Sequence, residues 1–110
     1  MINSKRKGKV GELEFVHWLK DHGIAARRGQ QYCGANNDPD VVTDLEQIHF
    51  EVKRTEKLNL HNAMIQAIND CPKNKIPVVA HRKSRQDWLV ILRAEDALAL
   101  LKGYIKKEKS

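Results

Sequence analysis

The sequence predicts an α/β fold in a single domain, and three observations carry that prediction. Its 110 residues suit one ordinary domain, which can bury roughly 65% of its unfolded surface in one core. Helical and strand periodicities alternate along the chain in the order α-β-β-β-α-β-β-α. Gly, Asn, Asp and Pro punctuate the joints, with no internal repeat and no low-complexity linker. A composition of 41% hydrophobic and 31% charged residues is that of a globular chain rather than a disordered one.

The first element is a helix from about Lys5 to His22, stopped by Gly23 at a position where a left-handed cap is common. Val10, Leu13, Phe15, Val16 and Leu19 supply its apolar residues. Glu12 precedes Phe15, Val16 and Leu19 by helical spacings, so a carboxylate heads the inward stripe. Gly8 and Gly11 lie on this side as well. Each costs about 1 kcal/mol relative to alanine in a helix, which close approach of another backbone would explain.

"IAARR" (Ile24 to Arg28) reads as a first strand. The loop "GQQYCGANNDP" leads to a second, Asp40 to Thr43, and "TDLEQ" turns into a third, "IHFEVKR". A helix from Leu60 to Cys71 follows, with Asn59 as N-cap and Pro72 at its end. "IPVVAHR" and "WLVILR" are two more strands joined by the basic turn "KSRQD". "AEDALALLK" is the last helix, with Gly103 as its stop. Residues 1–110 form one unit, with 1–4 and 104–110 expected as flexible ends. Trp18 and Trp88 are expected in the core.

Strand side chains alternate faces. Ile48, Phe50 and Val52 therefore share one face of the third strand, and His49, Glu51 and Lys53 share the other. A slip of one residue would turn Phe50 and Val52 out to water, so the register is fixed by the core. If the second and third strands form a hairpin, Asp40 starts at the end of the sheet where Glu51 and Lys53 stand. Glu12 then arrives from the helix packed over the sheet. Three converging carboxylates would repel one another and titrate high. A divalent cation relieves that repulsion. All-oxygen ligation selects a hard ion, Mg²⁺ with Mn²⁺ as substitute. A phosphodiester also needs an activated water and an offset for developing negative charge, roles for the cation and Lys53. The bland alternative is a salt-bridged sheet face. Asp38 is a second candidate acid, although Asp-Pro begins turns.

Net charge is +6 and is concentrated at the two ends: Lys5, Arg6, Lys7 and Lys9 at the front, Lys102, Lys106, Lys107 and Lys109 at the back. Basic ends around a near-neutral body with an internal acidic cluster suit a polyanion. Solvated tails are the competing explanation. Lys5, Arg6 and Lys7 sit at a helix start, where cations are disfavoured unless a phosphate is near. Arg82, Lys83 and Arg85 form a basic turn able to track a DNA backbone. His49 is assigned no role, although it shares the face of Glu51. Cys33 and Cys71 are too few for a disulfide framework and are read as free thiols. No apolar run is long enough to span a membrane, and "MINSKRKGK" has no signal-peptide core. These features together predict a cytoplasmic protein.

"DPDVV...FEVKR" resembles the signature of the PD-(D/E)xK nuclease superfamily. "RKGKVGELEFVHWLKDHGIAARR" is similar to the opening of the archaeal-type Holliday junction resolvases, with VRR-NUC-like nucleases as near relatives. The resemblance covers Lys5 to about Thr55; beyond that it is topological. It implies an αβββαβ restriction-endonuclease-like core with a mixed sheet flanked by helices. It also implies cleavage of branched DNA leaving a 5′-phosphate. Glu12, Asp40 and Glu51 would serve the metal, joined by the Val52 carbonyl, and Lys53 would be the catalytic lysine. Arg28 or Arg27 would contact phosphate, with Arg54 beside the lysine, and Gln66 would be a helical glutamine near the site. One departure is the loop after the first strand, where this chain has "GQQYCGANN" instead of a serine-containing segment. One site per chain and two symmetric cuts at a four-way junction imply a twofold homodimer. A flap or other repair nuclease is the near rival, and a non-catalytic DNA-binding protein the rival from another class.

Overall fold

The computed structural model describes residues 4–30 and 38–109. Its elements follow the expected order: α1 (Ser4–Asp21), β1 (Ala26–Arg28), β2 (Val41–Thr43), β3 (Ile48–Arg54), α2 (Leu60–Asp70), β4 (Ile76–Arg82), β5 (Leu89–Ile91) and α3 (Ala94–Lys109). The strands form one mixed sheet in the order β1-β2-β3-β4-β5. β3 and β4 are parallel and the other pairs antiparallel. A parallel pair needs a crossover, and α2 supplies it.

The sheet has two covered faces. On one, Phe15, Val16 and Leu19 of α1 pack against Val41, Phe50, Val78 and Ala80. On the other, Ala63, Met64 and Ala67 of α2 pack against Val79. This alternation places Phe50 and Val52 toward α1, and His49, Glu51 and Lys53 toward α2.

Local chemistry explains the helix ends. Gly23 adopts φ +82° and closes α1 in a Schellman arrangement, with Gly23 N–H donating to Lys20 O (3.0 Å) and Ile24 N–H to Leu19 O (2.9 Å). Asn59 caps α2 by accepting from Asn62 N–H at 3.2 Å. Gly11 is buried, and a Cβ there would lie 2.7 Å from Arg54 Cβ. It therefore marks the close approach of α1 to β3. Gly8 has open space around it, so the same reason does not extend to that position.

The structure corrects several expectations. α3 does not stop at Gly103 but continues to Lys109. Gly103 keeps out of the positive-φ region and is flanked by good helix formers, so its cost of about 1 kcal/mol is tolerated. β1, β2 and β5 are shorter than read, each three residues. The inward stripe of Phe15, Val16 and Leu19 is buried as expected, while the other apolar residues of α1, Val10 and Leu13, are exposed. Trp18 is 38% exposed and stacks on Phe15 with centroids 5.9 Å apart, whereas Trp88 packs against the core as expected.

Candidate active site

Asp40 sits where the β2–β3 ladder ends. Its N–H donates to Phe50 O at 3.0 Å, and its carbonyl accepts from Gly29 N–H at 2.9 Å. Its Oδ2 accepts from Val52 N–H at 2.9 Å, so the carboxylate takes the place of a backbone acceptor. Inside a regular strand such as β3, the N–H and C=O of one residue point to the same edge, so the Val52 carbonyl faces the Asp40 side. Pro39, with no N–H, cannot donate to the Val52 carbonyl. "PD" thus fixes an acid and leaves a backbone oxygen beside it. A Cβ at Gly29 would stand 1.8 Å from Pro39 O, so glycine is required for this approach. Asp38 accepts from Gln30 N–H at 3.1 Å and serves the turn.

Glu51 lies beside Asp40 on the α2 face. Burial pushes its pKa up to about 7; the charge and hydrogen bond of Asp40 add to the rise, while His49 opposes it. The pair is an all-oxygen donor set whose mutual repulsion a cation would relieve, and it fits a hard divalent ion with the Val52 carbonyl as a third oxygen.

Glu12 is held differently. Arg28 Nε donates to its Oε1 at 2.9 Å, on the α1 face of the sheet. Burial raises the pKa of Glu12, the Arg28 hydrogen bond opposes that, and the charge of Asp40 raises it further. Among the described residues no group of three or more His, Cys, Asp and Glu side chains is placed to hold a metal ion. The expected convergence of three acids is thus realised as a pair, Asp40 and Glu51, with Glu12 flanking Asp40. Alternation is the reason: the face of β3 that packs on α1 is opposite the face carrying Glu51.

Lys53 is half-buried on the Glu51 face, and its side chain makes no hydrogen bond or ion pair among the described residues. Arg54 and Arg82 meet at Glu14: Arg54 Nε is 3.3 Å from Glu14 Oε1, and Arg82 also binds Glu14 Oε1. Arg54 further reaches Glu56 at 3.3 Å. Arg27 and Arg85 are exposed, Arg85 at φ 64°. Gln66 is exposed on α2 and makes no hydrogen bond to the acids among the described residues. The side chains of Lys5, Arg6 and Lys7, and residues 31–37 with Cys33, lie outside the described residues. Glu14 escaped the sequence reading, and His49, read as sharing the face of Glu51, was given no role there. His49 is 1% exposed with Nε2 3.1 Å from Glu51 Oε1, and its spacing of two from Glu51 was the available signal. Glu14 organises two arginines far along the chain, for which local spacing gives no signal.

A mixed sheet between helices, with an aspartate at a strand start and Glu-x-Lys on the next strand, defines the PD-(D/E)xK nuclease class. The family model described as archaeal Holliday junction resolvase (Hjc) matches residues 3–99. The chain belongs to this family and is a junction-resolving nuclease. Its fold is similar to that of Archaeoglobus fulgidus Hjc, a Holliday junction resolvase from an archaeal hyperthermophile. That likeness has a TM-score of 0.54 and 18% identity, over 76% of this chain and 75% of the other. No curated protein matches the chain.

Proposed function

We propose that the chain resolves branched DNA by metal-dependent hydrolysis at the α2 face of β3. The observation that carries this reading is the Asp40–Glu51 pair beside Lys53. Asp40, Glu51 and the Val52 carbonyl would hold Mg²⁺, with Mn²⁺ as a substitute. A bound divalent ion would supply Lewis acidity toward the phosphodiester and its attacking water. The chain's own residues do the rest. Val52 N–H and Gly29 N–H lock Asp40 in place. Lys53, with no carboxylate partner among the described residues, orients the water or offsets charge developing on phosphorus oxygens. Glu12 and Arg28 border Asp40, where Arg28 can exchange its carboxylate for a substrate phosphate. Gln66 and the basic residues Lys5, Arg6 and Lys7 complete the proposed substrate contacts.

Two cuts across a four-way junction require two such sites, so the working form is a twofold homodimer. Support comes from α3 and the edge strand β5. Leu98, Leu101 and Ile105 recur at helical spacing and are 56%, 56% and 51% exposed, and Leu89 and Val90 of β5 are 62% and 53% exposed. An exposed apolar stripe on α3 and an exposed apolar edge strand are each suited to covering by a second copy of the chain. Among the described residues no helix is long and apolar enough to cross a membrane, and action on DNA supports a site of work inside the cell.

Cleavage of a labelled synthetic four-way junction, with flap, nicked and linear duplexes as comparators, tests the reading. Wild type with Mg²⁺ should cut the junction, chelator or Glu51→Ala should abolish cutting, and Lys53→Ala should slow it by about 10²–10³. Undiminished cleavage by Glu51→Ala refutes it.

A further inference from the structure

On its α2 face β3 has apolar cross-strand neighbours: His49 is in register with Pro77, and Glu51 with Val79. An aliphatic residue would suit position 49. A histidine there places ring nitrogens in a buried setting and needs a partner for them. The partner is Glu51, whose Oε1 lies 3.1 Å from Nε2. Two residues along a strand bring side chains to the same face, so the ring reaches its partner without leaving the strand. Asp40 meets the same carboxylate from across the β2–β3 pairing. Glu51 is thus gripped along its own strand by His49 and across the sheet by Asp40.

From this geometry we infer that His49 is a positioning residue for the reaction: its Nε2–H fixes the rotamer of Glu51, so that the carboxylate is presented ready-made to a divalent cation shared with Asp40. This inference rests on the reading of Glu51 as a cation ligand. Such outer partners orient a ligand and remove its freedom to turn away, and their loss typically costs 10–100-fold in metal affinity. A histidine present merely as filler would leave cation affinity untouched when replaced by an apolar residue of similar size.

The test uses Mn²⁺ binding to the full chain without DNA, read by electron paramagnetic resonance of free and bound ion. Leucine at 49 removes the donor and keeps apolar bulk. Glutamine carries an amide nitrogen near the place of Nε2, whereas that of asparagine falls near Nδ1 and is too short to reach Glu51. His49→Leu and His49→Asn should each weaken Mn²⁺ binding by about 10-fold or more, and His49→Gln should stay within about threefold of wild type. The Gln/Asn contrast decides the matter should His49→Leu fail to fold. In cleavage, His49→Leu should raise the Mg²⁺ concentration for half-maximal rate more than it lowers the maximal rate. Wild-type Mn²⁺ affinity in His49→Asn, or equal losses in Gln and Asn, overturns the inference. Glu51→Gln separates the two layers. If it loses Mn²⁺ while His49→Leu and His49→Asn do not, positioning by His49 is wrong and the site reading stands. If Glu51→Gln binds Mn²⁺ as wild type does, the assignment of Glu51 as ligand fails, and the role of His49 with it.

Discussion

Removing the charge of Glu51 should change how stability responds to pH, by an amount the structure sets. Burial, reinforced by Asp40, raises the Glu51 pKa from 4.5 to about 7. The folded state therefore holds a proton that the unfolded chain has already released. Stability from this group is fully present below 4.5 and is lost as pH rises through about 7. A shift of this size corresponds to about 3 kcal/mol at most, a large part of the 5–15 kcal/mol typical of a domain. The raised pKa of Glu12 acts in the same direction. Other shifted groups fall outside the window: Glu56 is lowered and titrates further toward acid, and Cys71 is raised from 9.0. Urea unfolding in chelator, followed by tryptophan fluorescence at pH 5 and pH 8, measures the effect. Wild type should be less stable at pH 8 by up to about 3 kcal/mol, at an unchanged urea dependence. Glu51→Gln, a neutral isostere able to keep the His49 contact, should remove most of that drop while matching wild type at pH 5. Millimolar Mg²⁺ or Mn²⁺ should restore wild type at pH 8 and act little on the variant. Parallel losses of stability in the two proteins would refute the reasoning.

Lys53→Ala should lower the single-turnover rate of junction cleavage by about 10²–10³ while leaving metal-free junction binding within a few-fold, as gel-shift titration will show. Gly29→Ala drives a Cβ into the Pro39 carbonyl and must displace Asp40, so it should cost about 2–3 kcal/mol and abolish cleavage. Gly11→Ala gains about 1 kcal/mol of helix propensity but presses on Arg54 Cβ; a smaller net loss in Tm is expected. Leu101→Glu should convert dimers to monomers in sedimentation velocity at unchanged far-ultraviolet dichroism. Arg85→Ala should reduce the slope of log affinity against log salt by about one. Glu14→Gln should instead lower stability without weakening DNA binding, because Arg54 and Arg82 are ties between elements.

Much of the fold is legible in the sequence, for identifiable reasons. "IHFEVKR" and "IPVVAHR" match β3 and β4 residue for residue. Both lie in the middle of the sheet, where burial enforces a strong pattern. β1, β2 and β5 have at most one long neighbour each, and their ends are set by tertiary hydrogen bonds that local propensity does not encode. α3 shows the same limit in reverse. Gly103 is a stop signal only where the chain must turn with positive φ, and nothing there demands a turn. The acids were legible as residues but not as a shape. Phe50 and Val52 belong to the same cluster as Phe15 and Val16 of α1, so Glu51 must face away from α1. Glu12 on the α1 side and Glu51 on the α2 side therefore approach Asp40 from opposite faces of the sheet. Strand alternation alone carries that much; how the two faces meet at Asp40 is set by where β2 ends, which local spacing does not encode.

Asp40 resolves the geometry because it belongs to neither layer. It stands at the end of a strand, where no further ladder residue separates the two faces, and it interacts with both glutamates. A phosphate arriving at that edge would meet Arg28 and Glu12 on one side and Lys53 with Glu51 on the other. The loop joining β1 to β2 begins and ends beside it, with Gly29 and Pro39 in near contact. The edge of the sheet, rather than the centre of a pocket, is therefore where a duplex backbone can be approached from two faces. The scaffold supplies one exposed strand end with charges above and below it, and a second copy, docked through α3 and β5, would supply the other cut.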